Sequence, residues 1–356
     1  MKPSGIGGQA VIEGVMMKNK NEYAIAVRKP DQEIEVKKEE YVSFSEKHNM
    51  FKLPILRGIL AFVESMKIGM STLTYSASFF EEEEETKPSK FEKGMDKLFK
   101  DKAESIFTAV TVSISVLIAV ALFILFPTFL SQKLSSVITS NMLQAIIEGV
   151  IRISIFIGYI ALISQMKDIK RVFMYHGAEH KTINCIENGF ELTVENVRFR
   201  SKEHKRCGTS FLFIVMFFSI LFFMFIRIDT FWLKSLVRIL LIPIIAGVSY
   251  EFIRLAGKSD NALVNLLSKP GLWLQGLTTR EPDDSMIEVA IASVEAVFDW
   301  RTFLNENAKK SEEFLEDEIK TIKVSDNIDK NLSAKELAKQ EDEEDILTAL
   351  DKYFGE

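Results

Sequence analysis

The run Ile106–Phe126, IFTAVTVSISVLIAVALFILF, holds 21 residues without one charged side chain. A helix needs about 20 apolar residues to cross a hydrocarbon core of about 30 Å, so this segment predicts a transmembrane helix and constrains the rest of the chain. Three further runs follow, Leu143–Ser164, Phe211–Ile226 (short but wholly apolar) and Leu236–Ile253. Four buried helices of a soluble bundle fit less well, because the first and third runs have no polar face. The second run carries Glu148 and Arg152 at i,i+4 spacing, and the fourth carries Arg238 and Glu251. Charges are costly in lipid, which places these side chains against partner helices or near the water interface. Glu148 and Arg152 read as a packing ion pair rather than a conduction path.

Composition agrees with a membrane protein that has soluble parts. With 47% hydrophobic and 26% charged residues the chain is too apolar to be disordered, and 8 Pro with 17 Gly exclude collagen-like or linker-like proteins. A net charge of −6 excludes a protein that coats nucleic acid, and two Cys cannot staple a secreted scaffold of this length. Orientation follows from the loops. Residues 165–210 hold nine Lys or Arg and residues 87–102 six Lys, whereas 131–142 has only Lys133 and 227–235 only Arg227 and Lys234. By the positive-inside rule both termini and the central loop are cytoplasmic. The first 20 residues lack a continuous apolar core, so no cleavable signal is expected there.

The organisation read along the chain has seven parts. Residues 1–50 form a small N-terminal β unit, because 7–45 show short alternating runs with Pro30 and Asp31 placed for a turn. Residues 51–104 hold a charged linker and an amphipathic helix (53–80), punctuated by Arg57, Glu64 and Lys67, that lies on the membrane surface or packs on the bundle. Residues 105–164 carry transmembrane helices 1 and 2, 165–210 a cytoplasmic loop, and 211–256 helices 3 and 4. Residues 257–304 are a cytoplasmic segment, in which PGLWLQGLTTREPDD reads as turns before a helix over SMIEVAIASVEAVFDW. Residues 305–356 are an acidic tail, with 16 acids against 8 Lys from Asn305 onward, read as a solvated segment or a docking site for a protein partner. Glu81–Glu85 is a solvated acidic run.

The chemistry concentrates in the central loop. The chain has four His, and three of them fall with both Cys between His176 and Cys207. His176-Gly177-Ala178-Glu179-His180 puts two imidazoles on one face of a helix, where they can share a metal ion. The string is H-x-x-E-H, the inverted zincin pattern, in which Glu179 polarises the ion's water. Glu251, 71 residues after His180 and near the cytoplasmic end of the fourth run, could complete such a site. His204 and Cys207, at i,i+3, offer the other ligands. Three readings stay open: a catalytic site (His176, His180 and Glu251 holding zinc or another divalent ion, Glu179 the base), a closed structural site (His176, His180, His204 and Cys207), or imidazoles that only hydrogen-bond within a basic loop. Glu13 reads as a surface acid beside a turn, and Gly5-Ile6-Gly7-Gly8 is followed by a strand-like run, so it is a weak phosphate-loop signal. His48 lies in a separate polar stretch and is expected to be dispensable.

GGQAVIEGVMM (7–17), RGILAFVESMKIGM (57–70), YHGAEHKTINC (175–185), LTVENVR (192–198), RCGTSFL (206–212), AGVSYEFIR (246–254) and PGLWLQGLTTREPDD (270–284) together closely resemble the YqhQ-like family of bacterial membrane proteins of unknown function. The resemblance covers residues 5 to 300 and leaves the acidic tail unmatched. It departs at Ile186, in place of an aromatic, and at Gly276, in place of a basic residue. It implies a metal-dependent enzyme of the bacterial cytoplasmic membrane with a metal site at His176 and His180, extending to His204 and Cys207. The fold class expected is mainly α, a polytopic membrane protein with about four transmembrane helices, a small N-terminal β unit and a cytoplasmic metal-site loop. The leading function is a zinc-dependent membrane hydrolase acting on a peptide or lipid-linked substrate. The rival is a scaffold, assembly factor or transport component whose metal is structural. Membrane lipid is the expected partner, and no nucleic acid.

Overall fold

The computed structural model describes residues 3–80, 103–134, 137–138, 140–204, 207–228, 230–256 and 262–308. Glu81–Glu85 and the acidic tail past residue 308 lie outside them. Contacts divide the chain into two compact units, residues 3–299 and the segment from Trp300 with the first two residues. The second unit opens on a helix over 300–308 whose Arg301 guanidinium lies over the Trp300 ring. Everything below belongs to the first unit.

The antiparallel sheet predicted over 7–45 is present as four strands in the order β1 (Gly7–Val11), β2 (Gly14–Asn19), β3 (Glu22–Arg28) and β4 (Ile34–Glu40). Alternation sorts its side chains to two faces. Met16, Tyr23, Ile25 and Val27 join Ile68 of helix α1 (Leu56–Ala77) in one apolar cluster. Val15, Met17, Ala24 and Ala26 are fully buried on the other face, toward α9 (Asp284–Val297). There the Ser293 hydroxyl donates to the Ala24 carbonyl at 3.0 Å. A sheet covered on both faces explains why β2 and β3 read as near-continuous apolar runs.

The amphipathic helix predicted over 53–80 is α1. It packs on the sheet through Ile68 and leaves Val63, Met66, Met70 and Leu73 exposed. Helix α2 (Ala103–Val120) continues through one π-helical turn (Ala121–Leu125) into α3 (Phe126–Lys133), followed by α4 (Asn141–Ile163). Next come α5 (Lys167–Glu187), α6 (Gly208–Met224), α7 (Phe231–Ala256) and α8 (Ala262–Thr278). Among the described residues three helical stretches, 109–133, 142–163 and 231–256, are long and apolar enough to cross a membrane. The third predicted crossing, over 211–226, is the shorter α6. Its 17 residues rise about 25 Å, less than the hydrocarbon thickness of about 30 Å. The expected cytoplasmic metal-site loop is largely helical as well, since α5 takes up 21 of its residues. The turns expected at Pro270 and Gly271 are replaced by α8, which runs through the proline. Packing of α8 on α6 outweighs the backbone bond that Pro270 removes.

Glu148, Arg152 and Arg238 are buried among the helices and form one network. Glu148 Oε1 accepts from Arg152 Nη2 at 2.9 Å, from Thr128 Oγ1 at 3.1 Å and from Arg238 Nη1. Arg152 Nη1 donates to Ser219 at 3.0 Å, and its Nε to the Phe123 carbonyl at 2.9 Å. That carbonyl is supplied by the π-helical turn, where the wider winding disturbs the i→i−4 ladder. Both guanidinium groups also lie over the Phe223 ring. Two cations therefore share one carboxylate. Glu148→Gln leaves both uncompensated and should cost about 3–5 kcal/mol, read as a lowered melting temperature of the detergent-solubilised protein. Lys20→Gln, an exposed substitution, should leave the stability within about 0.5 kcal/mol of wild type.

Candidate metal centre

Helix α5 is buried almost all round from Tyr175 to Ile186, so its polar side chains need partners inside the protein. They find them in the carbonyls of Arg198, which ends a short helix (Val194–Arg198), and of the irregular segment 199–204. Lys181 Nζ donates to the Arg198 carbonyl at 2.8 Å, and Asn184 Nδ2 to those of Ser201 and Glu203 at 2.7 and 2.9 Å. His180 Nδ1 bonds the Lys202 carbonyl at 2.6 Å. From the other side Gln275 of α8 holds His204 through both its N–H (2.9 Å) and its carbonyl (2.8 Å). A segment without regular structure is thereby fixed against two helices. It leads directly to Cys207, whose thiol caps α6 by accepting from the Thr209 N–H.

The same device orients His176. Its Nδ1 bonds the Thr278 carbonyl at 2.8 Å. A carbonyl only accepts, so both imidazoles carry their proton on Nδ1 and offer the lone pair of Nε2. Hydrogen bonding of the distal nitrogen to a carbonyl is the usual support of a metal-ligating His. Cys207 Sγ lies 3.3 Å from His176 Nε2, and His176, His180 and Cys207 offer ligand atoms that all fall within 4.8 Å of one another. Glu179 Oε2 stands 3.9 Å from His176 Nε2 and 4.0 Å from His180 Nε2. These groups line a cavity of about 450 Å³ closed on one side by β1.

Two glycines permit this arrangement. A Cβ on Gly177 would stand 2.0 Å from the Arg280 carbonyl oxygen, and one on Gly8 would stand 2.7 Å from Glu179 Cγ. Gly177 lets the chain after α8 lie against α5, where the Thr278 carbonyl meets His176. Gly8 lets β1 lie on Glu179, to which its N–H donates. Burial pushes the Glu179 carboxyl above its ordinary range, opposed by the nearby His176 and His204 imidazoles and by that Gly8 N–H.

The remaining sequence candidates fall elsewhere. Glu251 is not in the group; its carboxylate is taken by Arg57, whose Nε donates at 2.6 Å, so the ligand role expected of it is replaced by an ion pair between α1 and α7. His204 lines the cavity with its ring 5.7 Å from that of His180, but its Nε2 is 3.5 Å from Glu187 rather than among the three clustered ligand atoms. Glu13, at a positive φ of 48°, is bonded by Arg171 and by the Tyr175 hydroxyl, which ties the sheet to α5. Cys185 is buried away from the cluster, and burial pushes its thiol up to about 11. Gln275 and the carbonyls of Lys202 and Thr278 escaped the sequence reading, and Gly8, read there only as part of a weak phosphate-loop signal, instead makes room for Glu179.

Gly177→Ala should displace the Thr278 carbonyl from His176 and weaken metal binding about 10- to 100-fold. Chelator competition monitored by elemental analysis measures this. An unchanged affinity would mean that the carbonyl contact does not support the ligand.

No solved structure matches the chain. A curated relative, the uncharacterized protein YqhQ of Bacillus subtilis (strain 168), is 36% identical over 317 residues, which cover 87% of this chain and 97% of that protein. A family profile described as a protein of unknown function, DUF1385, matches residues 53–300 and so takes in every residue of the His/Cys cluster. The chain belongs to the DUF1385 family.

Proposed function

We propose that the chain is a metal-dependent hydrolase of the bacterial cytoplasmic membrane. The observation that carries this reading is the convergence of two Nε2 atoms and one thiol on a cavity that also holds a buried carboxylate. Three protein ligands with a further position left for water is the pattern of a catalytic zinc site, and N/S ligation suits zinc among the common divalent ions. Membrane insertion is supported by the three long apolar helices and by exposure: the most apolar 18-residue window within 109–133 has none of its residues buried by protein. The excess of Lys and Arg in 165–210 supports a cytoplasmic site.

Zinc, when bound, supplies Lewis acidity toward water and toward a carbonyl or phosphoryl oxygen. His176, His180 and Cys207 would hold it. Glu179 Oε2 faces both ligating nitrogens and takes a proton from water there. The water oxygen bonds to the electrophilic carbon or phosphorus, the bond from that centre to the leaving oxygen or nitrogen breaks, and the proton held by Glu179 passes to the leaving atom. The substrate is a peptide or a lipid-linked molecule presented at the membrane.

A second reading rests on His204, which shares the cavity. Turned away from Glu187, it would close a four-ligand structural site in a scaffold, assembly factor or transport component. Glu179→Gln separates the two. Under the hydrolase reading this variant keeps its metal and loses about 100-fold or more in activity, read as failure to rescue a strain lacking the gene. Cys207→Ser, by contrast, should lose metal. Full rescue by Glu179→Gln would remove the catalytic role.

A further inference from the structure

Two more cavities adjoin the His/Cys cavity, sharing lining residues with it. One, of about 700 Å³, lies between α1 and the ends of α6 and α7, and its walls include Ala61, Phe62, Met66, Phe211, Tyr250 and Ile253. The other, of about 390 Å³, lies over the sheet and is lined by Gly5, Gly7, Gly8, Met16, Lys18 and Lys20. Gln9 and Ser65 border all three, and Cys207 borders both the central and the apolar cavity. Each lies within the range of about 300–1,000 Å³ common for ligand sites. The three compartments therefore run apolar, then metal-ligating, then basic.

From this order we infer that the substrate of the proposed site is a bilayer lipid with an anionic headgroup. Its acyl chain occupies the groove beside α1, its headgroup lies near Lys18 and Lys20, and the linkage between them lies beside Glu179. The inference rests on the hydrolase reading of the His/Cys site and adds the substrate class. Three observations choose a lipid over a peptide. The groove is walled by α6 and by α7, one of the three long apolar helices, so it faces the part of the chain that meets hydrocarbon. Its rim on α1 is apolar and exposed, with Val63 and Met66 each more than half accessible. An apolar rim at that position costs less beside acyl chains than in water. The far compartment carries two ammonium groups and no carboxylate in its lining. Glu64, whose charge acts on Lys18, is itself engaged by the Ser43 hydroxyl and the Phe44 N–H and does not line the cavity. Lys18 is half-buried, and an ammonium in that setting gains from an anionic partner.

The test uses the full chain in phosphatidylcholine nanodiscs doped with phosphatidylglycerol that bears a photoreactive diazirine near the end of one acyl chain, with crosslinks mapped by mass spectrometry. A diazirine phosphatidylcholine serves as the uncharged-headgroup comparison. Phosphatidylglycerol should label the peptides around Met66 and Phe211. Lys18→Gln with Lys20→Gln should reduce that labelling by about five-fold per lysine while leaving phosphatidylcholine labelling unchanged. Ala61→Trp, which fills the groove, should remove the labelling of both. Crosslinks confined to the outer faces of the long helices, or labelling by the two lipids that is equal and indifferent to the lysine pair, would overturn the inference. Metal content of the same samples keeps the two proposals apart. Groove labelling without metal in the wild type would retain the lipid site and remove the hydrolase reading, whereas metal without groove labelling would do the reverse.

Discussion

Two imidazoles one helical turn apart can share an ion only if each turns an unprotonated ring nitrogen toward it. In this chain two main-chain carbonyls impose that choice, Thr278 on His176 and Lys202 on His180. They come from segments 76 residues apart in sequence, and much of the surrounding architecture serves to bring them to α5. Gly177 admits the chain after α8, and Lys181 and Asn184 hold the segment after Arg198 by its carbonyls. Gln275 then fixes His204 from the other helix. Cys207 joins the cluster from the N-cap of α6.

The apolar helices solve a different problem with the same tools. Arg152 and Arg238 are covered by one carboxylate, two hydroxyls, a carbonyl from the π-helical turn and the face of Phe223. A buried ion network of this kind contributes little net stability, but removing one member strands the others. Its value lies in fixing which faces of α4, α6 and α7 meet. The apolar cavity between α1, α6 and α7 is walled by two of those same helices.

The local patterns in the sequence carried well into the structure. Alternation predicted the β unit, and the i,i+4 spacing of His176 and His180 predicted a shared face. The proximity of Cys207 to those two imidazoles followed from the clustering of His and Cys in one segment. Misreadings came where tertiary contacts decide. Pro270-Gly271 reads as a turn until α6 is present to pack against. Glu251 looked available for the ion because nothing local reveals that Arg57, on a distant helix, claims it. His204 and Cys207 share a short spacing, yet only the cysteine joins the cluster, since Gln275 sets the backbone of His204. The carbonyl partners of the two imidazoles were invisible, because every residue has a carbonyl and only the fold selects which ones arrive.

The central claim is a site of two imidazoles and one thiolate with a position open to water. X-ray absorption at the metal edge of the detergent-purified protein, wild type beside His204→Ala, tests it most directly. The account predicts bound zinc with one sulfur at about 2.3 Å and nitrogen or oxygen ligands at about 2.0–2.1 Å, and a spectrum that His204→Ala leaves unchanged. Protein without bound metal, or a shell that loses an imidazole in His204→Ala, would contradict it.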